Sequence, residues 1–330
     1  MSLLAPALCF IVATVACGAL TALLILRLRR AEVLDQPNAR SLHVTAVPRG
    51  AGLAIALVVT LLQLALVISG LWSSEPALVT IGVAAGFAAL GWSDDRASRS
   101  VAMRFALQAV LSVAFVSLAL PPEINWALRG LLCVAVMWAV NLFNFMDGAD
   151  GLAGVQTVAA SVGIAVLLSA TEQRGAALSA AALAGAAAGF LAWNWHPARI
   201  FLGDVGSYFI GFELAALVIL SIDTEVGPWP ALILVAPFVV DATLTLGARA
   251  VRGAPVWRAH REHVYQLLVL RGWSPARVSS ALGLLVVGLC WPAAALAMVY
   301  GVTSALFVYG LLAIIWLWLR HAIAAPLTSE

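Results

Sequence analysis

Acids, asparagines and arginines recur in this chain in tight groups at the ends of apolar runs. Asp94 and Asp95 follow Gly91-Trp92-Ser93 and precede Arg96. Asp147 and Asp150 sit three apart in the run NLFNFMDGADGLAG, with Asn141 and Asn144 ahead of them at the same spacing. Asp204 lies in FLGDVGS, just after Asn194, His196 and Arg199. Asp241 and Glu262 stand near a His-Arg-Glu-His run, in a stretch that also holds Arg249, Arg252, Arg258, His260, Arg261, His263, Arg271 and Arg277. An earlier loop adds Arg40, His43 and Arg49. Carboxylates of this kind suit Mg²⁺, a hard cation usually held by one or two acids plus substrate phosphates. Arginine forks phosphate oxygens, and histidine donates or accepts protons. The parts fit phosphoryl transfer, where charge neutralisation and positioning carry most of the catalysis.

Each group also has a plainer reading. Adjacent acids repel unless a cation lies between them or one is protonated, so Asp94-Asp95 would otherwise form a solvated helix end paired with Arg96 and Arg99. Asp150 reads as a helix N-cap, and Asp204 as an acid favoured by a helix dipole. The 249–277 arginines read as a contact for anionic lipid. A cap does not need four polar groups in register at the end of one span. His260 and His263 around Arg261-Glu262 suit a diphosphate better than a diffuse surface.

The elements that must position these groups are membrane spans. The chain has 330 residues, 63% hydrophobic and 10% charged, whereas soluble domains carry about 25% charged residues. Apolar runs of the length a bilayer needs lie near 3–26, 51–71, 76–92, 102–120, 125–145, 153–170, 176–195, 205–222, 228–248, 278–300 and 302–320. The fold class is therefore all-α: a polytopic integral membrane protein with about eleven transmembrane helices, in a single catalytic domain over 1–330. Cys9, Cys17, Cys133 and Cys290 fall within these runs and read as small apolar fillers. All 18 basic residues are arginine. With the N-terminus outside, all of them except Arg129 and Arg174 lie at or near the inner side, while Glu75, Glu123, Glu172, Asp223 and Glu225 lie outside. The loops 27–50, 93–104, 146–152, 196–204 and 249–277 then face the cytoplasm. The acid groups share that side, although the orientation rule counts arginines and not acids.

In order along the chain, DQPNARSLHVTAVPRGAGLAI at 35–55, GWSDDR at 91–96, NLFNFMDGADGLAG at 141–154, NWHPARIFLGDVGS at 194–207 and HREHVYQLL at 260–268 resemble one family. It is that of the bacterial polyprenyl-phosphate N-acetylhexosamine-1-phosphate transferases (glycosyltransferase family 4), related to phospho-N-acetylmuramoyl-pentapeptide transferase. The resemblance implies transfer of a sugar-1-phosphate from a UDP-sugar to undecaprenyl phosphate, with release of UMP. It implies Mg²⁺, with Mn²⁺ as a substitute, and an active site on the cytoplasmic face of the bacterial inner membrane. Carried over by motif, Asp94, Asp95 and Asp204 are catalytic, and Asp204 with Asp95 holds the metal. Asn141, Asn144, Asp147, Asp150, Asn194, His260, Arg261, His263 and Arg49 bind substrate. HREH in place of an all-His run resembles the branch that starts O-antigen-type glycans. Gly50-Ala51-Gly52 replaces the family's Gly-Gly.

The expected partners are a UDP-N-acetylhexosamine-type sugar, the polyprenyl phosphate and membrane lipid, with no nucleic acid. A homodimer stays open, as do a one-step attack and a two-step route through a phospho-aspartate. The rival reading is a cation- or proton-coupled transporter. It would place acids mid-span, and Glu213 in the eighth run is the one residue that fits it better.

Overall fold

The computed structural model describes residues 3–31, 34–35, 46–97, 99–256, 258 and 260–324. Arg40 and His43 lie outside the described residues. The chain is helical almost throughout: α1 (Leu4–Arg30), α2 (Gly52–Ile68), α3 (Ser74–Arg96), α4 (Val101–Ala119), α5 (Trp126–Met146), α6 (Leu152–Ser169), α7 (Arg174–Asn194), α8 (Asp204–Leu220) and α9 (Trp229–Val251). A short α10 (Val264–Leu270) follows, then α11 (Pro275–Leu285), a π turn (Val286–Cys290), α12 (Trp291–Tyr300) and α13 (Val302–Ala324). Helices are what lipid demands, because each satisfies its backbone groups within one segment. Ser100, Asn125 and Ser274 cap α4, α5 and α11 by accepting from Met103, Leu128 and Arg277 N–H groups.

Among the described residues nine helical stretches are long and apolar enough to cross a bilayer, with α11 through α12 running as one. The 17-residue helices α2 and α8 reach about 26 Å and complete the eleven rods expected from sequence. Two departures are local. Leu34–Asp35 (β1) and Val47–Pro48 (β2) pair as an antiparallel ladder. The 249–277 stretch, expected as one polar loop, contains α10 and the first turn of α11.

The bundle is organised around α7 and α8. The Ala/Gly run of α7 is almost wholly buried and lies along α1. A Cβ on Gly185 would sit 2.2 Å from the Phe10 carbonyl, and one on Gly189 2.3 Å from that of Thr14. Small residues here let backbones touch, which is how helices associate without a hydrophobic drive in lipid. Helix α8 is surrounded by α2, α3 and α5. Gly52 of α2 meets Gly206 of α8, where a Cβ would lie 2.1 Å from the Gly206 Cα. Gly50 has φ +118°, and Ala51 between the two glycines takes ordinary helical geometry. Each glycine of the Gly-Ala-Gly run thus has its own reason to be there.

Two residues that sat awkwardly in the sequence reading are accounted for by packing. Glu213 is buried in α8, and the Gln63 amide of α2 donates to both its oxygens at 3.0 Å and to Ser179 of α7 at 2.9 Å. It closes a polar link between three helices. Arg129, which the orientation rule expects on the outer side, is buried against the end of α4 and the turn that follows it. It donates to the carbonyls of Val116 (2.8 Å), Leu120 (3.3 Å), Pro121 (2.5 Å) and Ile124 (3.0 Å). Val116 and Leu120 stand at the end of α4, where carbonyls lack a partner in a following turn, and Pro121 and Ile124 lie in the turn to α5. Arg129→Met should therefore destabilise the protein by about 3 kcal/mol, read as a fall in Tm in detergent. An unchanged Tm would show that the α4 end needs no such cap.

Candidate active site

Asp204 is the first residue of α8. It follows Gly203, whose φ of +79° turns the chain into the helix. The segment from β2 to the start of α2 runs beside 200–203, with Phe201 N–H bonded to the Pro48 carbonyl at 2.8 Å and Gly52 N–H to that of Leu202 at 2.9 Å. This pairing brings Arg49 to the helix start. Its guanidinium lies 2.5 Å from Asp204 Oδ1 and 3.0 Å from Asp95 Oδ1. Burial pulls the Arg49 pKa down, but Asp204, Asp95, Asp35 and Asp147 outweigh it and hold the side chain charged, above its ordinary value. Asn144, in the last turn of α5, donates to Asp204 Oδ1 and to Ser207 Oγ, each at 3.0 Å.

Asp147 ends α5 as its C-cap. Burial raises its pKa well above the usual carboxylate value; Arg49 opposes this, and Asp204, Asp95 and Asp150 add to it. Among the described residues no hydrogen bond engages its carboxylate. Arg49, Asp95, Asn144, Asp147 and Asp204 therefore form one cluster, drawn from four separate stretches of chain. Asp94 stands beside it and turns the other way. Its Oδ2 accepts the Tyr208 hydroxyl at 3.0 Å and lies 3.7 Å from Arg104.

The other expected residues divide. Asn141 points into the bundle, donating to Gln108 of α4 at 2.6 Å and to the Met137 carbonyl at 2.7 Å. Because α5 stops at Met146, Asp147 and Asp150 do not share a helix face, contrary to the in-register reading. Asp150 Oδ2 instead takes His196 Nδ1 at 2.7 Å and the Ala198 N–H at 3.0 Å. Asn194 bridges the same loops, accepting from Gly151 N–H at 2.9 Å and donating to the Ile200 carbonyl at 3.0 Å. Asp150 and Asn194 thus staple 147–151 to 194–200.

Helix α10 brings the HREH run to the end of α5. The Tyr265 hydroxyl donates to the Phe145 carbonyl at 3.0 Å, and a Cβ on Gly148 would sit 2.1 Å from that hydroxyl. The His263 ring is buried, with its centroid 4.9 Å from that of His260 and 6.4 Å from that of Phe145. Burial, then His263 and Arg249, push the His260 pKa down to about 4, so its ring is neutral at pH 7. Glu262 is held below the usual carboxylate range: burial works against this, and Arg252 and Arg249 override it. Arg320 donates to the Glu262 carbonyl at 3.0 Å. Asp241 of α9 accepts the Val264 N–H with both oxygens at 3.1 Å, capping α10 from another helix. The sequence reading gave no site role to Tyr208, Arg104, Tyr265 or Gln108. Asp241, grouped there with the acids that suit a metal, instead caps α10.

The cluster lies at the ends of α3, α5 and α8, in a chain with nine helices long and apolar enough to cross a membrane among the described residues; the class is that of the polytopic membrane proteins. A sequence profile of glycosyl transferase family 4 matches residues 77–222. A probable undecaprenyl-phosphate N-acetylglucosaminyl 1-phosphate transferase of Bacillus subtilis is 30% identical over 259 residues, which cover 73% of this chain and 71% of the relative. Phospho-N-acetylmuramoyl-pentapeptide-transferases of Caldicellulosiruptor bescii and Symbiobacterium thermophilum are 29% and 36% identical, over 47% of this chain in each case. The chain spans about half the length of those two relatives (48% and 46%). It belongs to glycosyl transferase family 4.

Proposed function

We propose that this protein transfers an N-acetylhexosamine-1-phosphate from a UDP-sugar to a polyprenyl phosphate, releasing UMP at the cytoplasmic face of the bacterial inner membrane. The product would start a cell-surface glycan, with an O-antigen-type glycan as the reading of the HREH run. The observation that carries this is the cluster of Arg49, Asp95, Asn144, Asp147 and Asp204 in a chain of this family. A phosphate oxygen of the lipid attacks the β-phosphorus, the bond from that phosphorus to the bridging oxygen breaks, and UMP leaves with the bonding pair. Phosphate monoesters have a second pKa near 6, so the attacking oxygen is largely ionised at neutral pH. Arg49 binds and orients the diphosphate, and its fork suits phosphate oxygens. Asn144 fixes the Asp204 rotamer. Arg261 and the neutral His260 supply donors at the nucleotide side.

The donor set fits Mg²⁺. Among the described residues, Asp204 Oδ2 and both Asp147 oxygens accept no hydrogen bond, and these are hard ligands. No group of three or more His, Cys, Asp or Glu side chains that could hold a metal occurs among the described residues. Phosphate and water oxygens would therefore complete the coordination, as Mg²⁺ prefers. Asp204, aided by Asp147, would hold the ion, which when bound neutralises diphosphate charge. Near Asp150 an apolar groove of about 550 Å³ is lined by Val155, Val158, Leu191, Gly283, Leu284 and Trp291. It gives a prenyl segment a place to lie.

The test is UMP release by purified protein given polyprenyl phosphate and a panel of UDP-N-acetylhexosamines. Release should require both substrates; none with any donor would sink the reading. The location is tested by Arg258→Cys, at an exposed site in the 249–277 stretch. In intact cells an impermeant thiol reagent should leave it unlabelled above the background of the four native cysteines. Ready labelling would put the cluster on the outer face.

A further inference from the structure

We propose that Asp94 and Asp95 act by positioning the first turn of α8, and so aim Asp204, rather than by exchanging a proton with substrate. The proposal rests on the transferase reading and adds Tyr208 to the residues that serve it.

The two acids grip one helical turn at two points. Asp95 Oδ1 accepts the Asp204 N–H at 2.9 Å, and Oδ2 accepts the Val205 N–H at 3.0 Å. Those amides are donors that the start of a helix leaves unpaired, and a carboxylate there also meets the favourable end of the dipole. Gly203 makes room for this, since a Cβ would lie 2.8 Å from Asp95 Oδ2. Asp94 holds the far end of the same turn. Tyr208 is four residues after Asp204, on the same helix face, and gives its hydroxyl to Asp94 Oδ2. Helices α3 and α8 touch at this point, where a Cβ on Gly91 would sit 2.2 Å from the Asp204 carbonyl oxygen.

Access decides between holding and proton transfer. A general base must come within about 2.6–3.2 Å of the proton it takes, or reach it through one water. The Asp94 side chain is 3% exposed, its Oδ1 is sealed from solvent, and its Oδ2 carries Tyr208 and faces Arg104. Asp95 is 11% exposed, with both oxygens on α8 amides. Asp204 is the more open acid, at 19%. A lipid phosphate that is already largely ionised at neutral pH leaves the pair little to deprotonate.

Full-length purified protein carrying Asp94→Asn, Tyr208→Phe or both tests this, with kcat and KM for the UDP-sugar measured together. An asparagine oxygen still accepts the Tyr208 hydroxyl, so Asp94→Asn should keep at least about a tenth of wild-type kcat. Tyr208→Phe breaks the contact and should lower kcat on the order of tenfold to a hundredfold, with KM within about twofold. The double variant should match Tyr208→Phe, because the two positions act as one unit. Asp94→Asn without turnover beside Tyr208→Phe at wild-type turnover would overturn the proposal. If wild type itself releases no UMP, the transferase reading fails and the clamp is judged by Tm. Asp94→Ala and Tyr208→Phe should then give non-additive losses, and additive losses refute the clamp.

Discussion

Asp204→Asn should leave a folded, membrane-inserted protein whose turnover falls by at least about a thousandfold. The amide keeps the shape of the side chain, and its oxygen still accepts from Arg49 and Asn144, as Asp204 Oδ1 does. What it loses is the charge that holds a hard cation against a diphosphate. A thousandfold loss corresponds to about 4 kcal/mol of transition-state stabilisation. A role for this acid at the helix start alone would cost about 1 kcal/mol of stability and leave chemistry intact. The two roles separate when UMP release and Tm are measured on the same preparation. Near-normal turnover with an unaltered Mg²⁺ titration would remove Asp204 from the metal.

The second large effect belongs to Arg49. It is the one cation bonded to both Asp95 and Asp204 among the described residues. Arg49→Met should lower kcat by at least about a hundredfold and raise KM for the UDP-sugar. Two carboxylates would face each other without their bridge, and the diphosphate would lose its fork. Arg49→Lys restores the charge without the bidentate geometry and should recover only part of the loss. Full recovery with lysine would reduce Arg49 to a point charge, and an unchanged KM in Arg49→Met would take it off the substrate.

The spans were legible because lipid imposes a length, and length and apolarity are local properties of the chain. The membership of the cluster was legible in part. Periodicity tells which residues share a face of one helix but not which helix stands opposite. Asn141 and Asn144 look alike in sequence, yet one meets Gln108 of α4 and the other Asp204 of α8. Asp94 and Asp95 are adjacent and so diverge by about 100° around α3, toward Tyr208 and toward the start of α8. The in-register reading of Asp147 and Asp150 failed because the helix ends at Met146, where Gly148 admits the Tyr265 hydroxyl. The partners of Arg129, the carbonyls of Val116 and Leu120 at the end of α4 and of Pro121 and Ile124 in the turn after it, cannot be seen without the turn that brings α4 and α5 together.

In the proposed reaction a phosphosugar, and not a sugar alone, moves to the lipid. UDP-N-acetylglucosamine labelled with ³²P at the β-phosphate and incubated with polyprenyl phosphate, Mg²⁺ and purified protein tests it directly. The label should pass into the lipid fraction as a diphosphate-linked sugar, in step with release of unlabelled UMP, and Asp204→Asn should abolish both. Label recovered in released UDP while the sugar enters the lipid would contradict the account, because the bond broken would then be that between the sugar and its phosphate.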